Sequence, residues 1–261
     1  EQLAQFIKES NNIVAFTGAG VSTESGIKDF RGPDGLYNEN VGTNYPVSTE
    51  SGIPDFRSVD GLYNQKYAYP PETIISHSFF MDNPGEFYRF YRDKLIIKGA
   101  KPNAAHIALA KLEAMGKLKA VITQNIDGLH QLAGSKNVLE LHGSTLRNYC
   151  TKCGRKYGPE IFDVTEGVPK CSCGGTVRPD VVLYGENLDM NTVSSAVEYI
   201  RNADMLIVVG TSLVVYPAAG LINYYKGNKL VLINSSPTSY DSSANLLIPE
   251  KIGEVFSQLA L

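Results

Sequence analysis

Apolar runs that end in small or polar clusters recur along this chain of 261 residues. Residues 13–17, 120–123, 138–141, 205–209 and 230–233 are strand-like. They close on Gly18-Ala19-Gly20, Gln124-Asn125, His142-Gly143, Gly210-Thr211-Ser212 and Asn234-Ser235-Ser236. Their apolar character is continuous rather than alternating, the pattern of strands covered by helices on both faces. Residues 104–115 carry helical spacing in Ile107, Ala110, Leu112 and Met115, after the breaker Lys101-Pro102-Asn103 and before Gly116. Strands alternating with helices predict an α/β fold with a doubly wound parallel sheet. His106 on that helix reads as a packing or surface residue rather than a ligand.

Two stretches interrupt the alternation. Residues 64–102 are rich in Tyr and Phe, including Phe87-Tyr88-Arg89-Phe90-Tyr91, and read as a small helical packing unit or a groove for an apolar ligand. Residues 144–180 hold all the cysteines. The expected division is therefore one sheet domain from 1–63, 103–143 and 181–261, with a helical insertion at 64–102 and a cysteine-bearing insertion at 144–180. There is also a tandem repeat: residues 21–38 read VSTESGIKDFRGPDGLYN and residues 47–64 read VSTESGIPDFRSVDGLYN. Three of the 18 positions differ, and two copies are too few for a solenoid, so a local duplication is the simpler account.

A formal charge of −3 gives no global reason to bind nucleic acid or acidic membranes. No apolar run approaches the ~18 residues of a membrane span, and the N-terminal segment lacks the layout of a signal peptide. Four cysteines clustered within 24 residues point to a reducing compartment and a metal site rather than a disulfide framework; a cytoplasmic location is expected.

The candidate chemistry sits at the strand ends. Gln124, Asn125 and Asp127 follow one run and His142 follows the next, and in an open parallel sheet such ends share one crevice. An imidazole there can take a proton near neutral pH, amides can orient a hydroxyl, and a carboxylate can hold a polar ligand. The alternative is structural: Asn and Asp are common in turns after strands. Gly18-Ala19-Gly20-Val21-Ser22 follows the first strand and is expected to open a helix, where backbone can approach a phosphate. The dinucleotide fingerprint GxGxxG fails at Thr23, which disfavours an ordinary dehydrogenase. Cys150-x2-Cys153 and Cys171-x-Cys173, each followed by Gly, can wrap one tetrahedral Zn²⁺. Four protein ligands leave no open position, so the metal is expected to be structural, contributing ~10–16 kcal/mol of apparent folding free energy.

Taken together these residues resemble the sirtuin family of NAD-dependent protein lysine deacylases. The match runs in order through GAGVS, SGI-x-DFR, TQNIDGLH, ELHGS, the cysteine pairs, RPDVVLYGE, VVGTSLVVYP and LINSSPT. The resemblance implies a Rossmann-like domain, a small domain made of a helical insertion and a zinc ribbon, and NAD as co-substrate. It implies that Gly18, Ala19, Gly20 and Thr23 lie near the pyrophosphate, with Phe30 and Arg31 on a cofactor loop. Gln124 would hold the nicotinamide-side ribose, and Asn125, Ile126 and Asp127 would line the nicotinamide pocket. His142 would be the general base. Gly210, Thr211, Ser212, Asn234 and Lys251 would line the adenosine end. Val182, Leu183, Gly185 and Glu186, with Val214 and Tyr216, would flank an acetylated protein or peptide added as an extended strand. The implied reaction moves the acyl group from lysine to ADP-ribose and releases nicotinamide.

The duplication departs from the family pattern, because Phe56 and Arg57 repeat Phe30 and Arg31. The first copy is favoured as the cofactor loop since it continues directly from the glycines. Some family members that remove acidic acyl groups carry Tyr-x-x-Arg; here the spacing gives Tyr88-x-x-Tyr91 and Arg89-x-x-Arg92, so acetyl is the default. The rival functions are an NAD-dependent ADP-ribosyltransferase and a catalytically impaired NAD or ADP-ribose binder.

Overall fold

The computed structural model describes residues 1–31, 35–37, 67–96 and 98–259. In chain order the strands of the described residues are β1 Ile13–Thr17, β2 Leu118–Thr123, β3 Val138–Glu140, β4 Gly143–Cys150, β5 Lys156–Tyr157, β6 Val177–Val181, β7 Met205–Val209, β8 Leu230–Ile233 and β9 Leu246–Ile248. The helices are α1 Gln2–Glu9, α2 Pro71–Ile74, α3 His77–Asp82, α4 Pro84–Phe90, α5 Ala104–Ala114, α6 Leu129–Leu132, α7 Ile161–Val164, α8 Met190–Asn202 and α9 Ile252–Ser257.

The main sheet is parallel, in the order β3-β2-β1-β7-β8-β9. Every residue of β1 is buried, because the sheet is covered twice. Ile13 and Ala15 face a layer that includes Leu3 and Ile7 of α1, Leu109 of α5 and Phe256 of α9. Val14 and Phe16 face the opposite layer, with Ile200 of α8 and Leu221. Each such fully buried large side chain contributes ~1.5–3 kcal/mol, and the two-sided burial is why the run reads as continuously apolar. From β1 the chain builds outward to β2 and β3, then returns across the sheet to β7 on β1's other edge. The carboxyl ends of β1 and β7 thus flank the point where the winding reverses, the place where open α/β sheets bind ligands.

The second sheet is antiparallel, β5-β4-β6, and carries the cysteines. Beside it α2 to α4 pack an aromatic core of Tyr67, Phe80, Phe87, Tyr88, Phe90 and Tyr91, joined by Phe162 and Leu183. The Tyr88 hydroxyl donates to the Val177 carbonyl of β6, so helices and ribbon share one interior.

Some details differ from the pattern-based expectation. β2 begins at Leu118 because its exposed Lys119 breaks an apolar run that continues upstream. β9, the short apolar run Leu246-Leu247-Ile248, joins the sheet at its far edge as a further strand. The segment after Gly18 is a 3₁₀ turn, Ala19–Ser25, ended by Gly26 in the left-handed region, and not an α-helix. The capping residue of α5, Asn103, explains how that turn is held: its side-chain amide donates to the Val21 carbonyl at 2.7 Å and to the Ser25 hydroxyl at 3.1 Å.

Candidate active site and metal centre

The floor of the crevice is made where two glycine loops touch. Gly20 N–H donates to the Gly210 carbonyl at 2.8 Å. A Cβ on Gly20 would lie 2.9 Å from Gly210 Cα, and one on Gly18 would lie 2.6 Å from Thr211 Cβ. Gly210 has φ +61°, and a Cβ there would come 2.3 Å from the Val21 nitrogen. Glycine at 18, 20 and 210 is therefore what lets the two loops pack this closely.

Polar groups converge on its β2 side. The Gln124 amide donates to Thr211 Oγ1 at 3.0 Å, bridging the ends of β2 and β7. Asp127 is fixed twice: Oδ1 accepts from the Leu129 N–H at 2.9 Å and Oδ2 from the Ser22 hydroxyl at 2.7 Å. Asn125 is buried and donates to the same Ser22 oxygen at 3.1 Å. Behind them His106 Nε2 lies 3.5 Å from Ser22 Oγ, and the His106 and His130 rings are 4.8 Å apart. Both rings are nearly inaccessible, and burial pushes their pKa values down, that of His130 to about 3. His106 is thus the packing residue its helical position implied. Ser22, Thr17 and His130 carry the site from below; Ser22 and His130 fall inside the GAGVS and TQNIDGLH motifs, but their partners Asp127 and Thr17 lie about a hundred residues away along the chain.

His142 is placed at the end of β3, with Nδ1 3.0 Å from the Gln124 carbonyl. A carbonyl only accepts, so Nδ1 carries the proton and Nε2 keeps its lone pair. Burial lowers its pKa below the usual 6.5, opposed by that hydrogen bond, so the ring is neutral at neutral pH. The next residues lead to the second sheet, and the Val182 N–H donates to the His142 carbonyl at 3.0 Å.

Of the two repeat copies, the first is described up to Arg31 and again at Gly35 to Tyr37, while Phe56 and Arg57 lie outside the described residues. Leu36 N–H donates to Asp29 O and Tyr37 N–H to Phe30 O, at 2.8 and 2.9 Å. Thr23 is exposed at the mouth, its hydroxyl on the Gly20 carbonyl.

Val214 and Tyr216 are exposed apolar side chains, 55% and 66% accessible. Leu183 instead turns into the aromatic core, and Gly185 has φ +87°. The Glu186 carboxylate is engaged by Arg178, the Leu183 N–H and His77; although burial works against ionisation, these hold its pKa at about 2. Ile126 accepts from the Thr145 N–H at 3.0 Å, and Ser212 is half-buried beside Thr211. Asn234 ends β8 with its amide on the Ser236 carbonyl. Lys251 caps α9 in solvent, its amine 3.6 Å from Glu254 of its own helix.

The sulfurs of Cys150, Cys153, Cys171 and Cys173 all lie within 4.8 Å of one another. Cys150 and Cys173 sulfurs are 3.5 Å apart and those of Cys153 and Cys171 3.7 Å. These are far too long for disulfides and match the ~3.8 Å edge of a tetrahedron with Zn–S bonds of ~2.3 Å. The turns are built for it: Gly154 N–H donates to Cys150 O and Gly174 N–H to Cys171 O, both glycines at positive φ. A Cβ on Gly175 would strike Cys150 Sγ at 2.6 Å. The donor set fits a structural zinc.

Comparison with known proteins converges on one family. The model of the Sir2 family matches residues 18–46 and 45–217. An NAD-dependent protein deacetylase of Clostridium perfringens is 55% identical over 260 residues, covering 99% of this chain and 97% of that protein. One from Clostridium acetobutylicum is 54% identical, covering 97% and 95%. A Sir2 structure with p53 peptide and NAD+ superposes with a TM-score of 0.79 at 38% identity, covering 99% of this chain and 95% of that one. Another, a Sir2 variant with deacetylated p53 peptide and an O-acetyl ADP-ribose, gives 0.82 at 38% identity, with 98% and 95% covered.

Proposed function

The chain belongs to the Sir2 family, and from that premise we propose that it is an NAD-dependent protein lysine deacetylase in which His142 is the general base. NAD is the co-substrate, acetylated protein or peptide the acyl donor, and Cys150, Cys153, Cys171 and Cys173 would hold one structural Zn²⁺. NAD supplies the ribose carbon that takes up the acyl oxygen as nicotinamide departs.

The observation that carries this reading is the state of His142: burial keeps the ring neutral, and the bond from Nδ1 to the Gln124 carbonyl leaves the lone pair on Nε2. Nε2 is the atom that takes the proton from a ribose hydroxyl when that hydroxyl attacks the acyl carbon. The Nδ1–H···O=C bond to Gln124 strengthens as the ring becomes cationic, which stabilises the proton-bearing state. Asp127 and Asn125, oriented through Ser22, offer an acceptor and an amide to the nicotinamide carboxamide, with Ile126 beside them. Gly18, Ala19, Gly20 and Thr23 admit the pyrophosphate to bare backbone, and Phe30 and Arg31 cover it. Gln124 takes the nicotinamide-side ribose, and Gly210, Thr211, Ser212, Asn234 and Lys251 line the adenosine end. Val182, Leu183, Gly185, Glu186, Val214 and Tyr216 border the peptide, which is added as a strand between them. Leu183 and Glu186 shape this edge from within, as their side chains face the protein.

The chain is read as a sheet domain of 1–63, 103–143 and 181–261 with insertions at 64–102 and 144–180. No helix among the described residues is long and apolar enough to cross a membrane, and reduced cysteines suit a cytoplasmic location. The test is nicotinamide release with and without an acetyl-lysine peptide, with product masses recorded. His142→Ala should lower peptide-dependent turnover about 100-fold or more. A fall of less than about tenfold removes His142 from the base role. ADP-ribose added to protein would support the transferase instead, and binding of NAD without nicotinamide release would support an impaired binder.

A further inference from the structure

Tyr184 stands where three segments meet, and none of the roles above uses it. Its N–H donates to the Ile75 carbonyl at 3.0 Å and its carbonyl accepts from the His77 N–H at 2.9 Å, so its backbone is pinned to the helical insertion. Its hydroxyl accepts from Arg31 Nη2 at 3.2 Å and lies 2.9 Å from the Tyr37 hydroxyl. The Arg31 guanidinium is 4.9 Å from the centre of the Tyr37 ring, and the Phe30 ring is 5.4 Å from it. A Cβ on Gly35 would come within 2.8 Å of the Phe30 carbonyl oxygen, so glycine is what lets residues 29–30 and 36–37 close on each other. One phenolic oxygen can accept from Arg31 and exchange a hydrogen bond with Tyr37 at once. Burial and the neighbouring Tyr184 raise the Tyr37 pKa, so that hydroxyl keeps its proton.

We propose that Tyr184 is a positioning residue whose hydroxyl clasps the cofactor loop of the first repeat copy to the segment bordering the peptide groove, coupling the two substrate sites through one side chain. The identity of the two substrates rests on the functional reading above; the clasp itself rests on these contacts. A peptide strand laid along 182–186 would lie beside Tyr184, so the contacts that hold Arg31 and Tyr37 start from the segment that borders the peptide. Tyr184→Phe keeps the ring and deletes only the hydroxyl.

The experiment measures NAD saturation at saturating acetyl-lysine peptide, together with backbone hydrogen exchange at Leu36 and Tyr37 in the ligand-free protein. In Tyr184→Phe the KM for NAD should rise about two- to tenfold, the effect of one net hydrogen bond, with kcat changed much less. Tyr37→Phe should do the same, and the double variant should show no more than the larger single effect, as contacts in one network do. Exchange at Leu36 and Tyr37 should quicken in Tyr184→Phe. An unchanged KM with unchanged exchange overturns the clasp, and so do fully additive effects of the two substitutions. Should the parent protein release no nicotinamide, the functional reading fails, and exchange alone decides the clasp: faster supports it, unchanged refutes it.

Discussion

Replacing His130 by Gln should flatten the loss of stability in mild acid. In the folded protein the His130 ring is 1% accessible, with Nε2 3.0 Å from Thr17 Oγ1. Its Nδ1 has no hydrogen-bond partner among the described residues. Burial first, and the neighbouring His106 second, push its pKa down to about 3. In the unfolded chain the same imidazole titrates near 6.5. Between those two values the unfolded state binds a proton that the native state refuses, so stability falls as pH drops through 6.5 and levels off only near 3. At ~1.4 kcal/mol per pH unit, integration from pH 7 to pH 5 gives a loss of ~2 kcal/mol from this one group, and ~4 kcal/mol by pH 3. Gln keeps a polar atom for Thr17 and has no titration. The variant starts less stable at pH 7, and its deficit relative to the parent should shrink by ~2 kcal/mol at pH 5. Urea unfolding followed by circular dichroism at pH 7, 6 and 5, at fixed zinc, reads the difference. Other groups with shifted pKa values, His106 and His142 among them, enter both proteins alike. Parallel pH dependences for parent and variant would refute the claim that a buried neutral His130 sets the acid limb.

Cys171→Ser should lower bound zinc from about one per chain and unfold the ribbon, with activity lost only as a consequence; metal analysis decides, since full activity with well under one zinc per chain contradicts the structural role. Arg31→Ala should raise the NAD requirement about tenfold or more, since a cation facing the dinucleotide is removed, whereas Arg57→Ala should stay near neutral. NAD titrations on both variants show which repeat copy serves the site, and the opposite ranking would transfer the role to the second copy.

The sheet was legible because double coverage writes itself into composition: β1, β7 and β8 have no exposed residue. β9 was not legible, since Leu246-Leu247-Ile248 is an apolar run of only three residues at the sheet's edge, none of them buried. The helix expected after Gly18 failed because Asn103, far along the chain, takes the Val21 carbonyl and closes the segment as a 3₁₀ turn. At the site, Asn125, Asp127 and His142 were legible as polar residues at strand ends. Ser22 and His130 fall inside two of the quoted motifs, but their supporting roles were not legible, because a small hydroxyl in a glycine-rich turn and a His in a short helix look structural until the fold brings Asp127 and Thr17 to them. Tyr184 falls inside a span the sequence marked, yet its partners Arg31 and Tyr37 are about 150 residues distant, and no periodicity connects them.

The two insertions leave the sheet at different points of the chain but own a single interior. Phe162 from the cysteine-bearing part packs on Tyr88 and Tyr91 of the helical part, with ring centres 6.0 and 5.1 Å away. Leu183 closes the same cluster from the segment that leads to the groove. Mechanically the pair is one lever, and the ion that never meets a substrate is its fulcrum. Loosening the cysteine knot would reach the groove through Phe162 and Leu183 as a change in alignment, felt by the peptide before it is felt by the sheet.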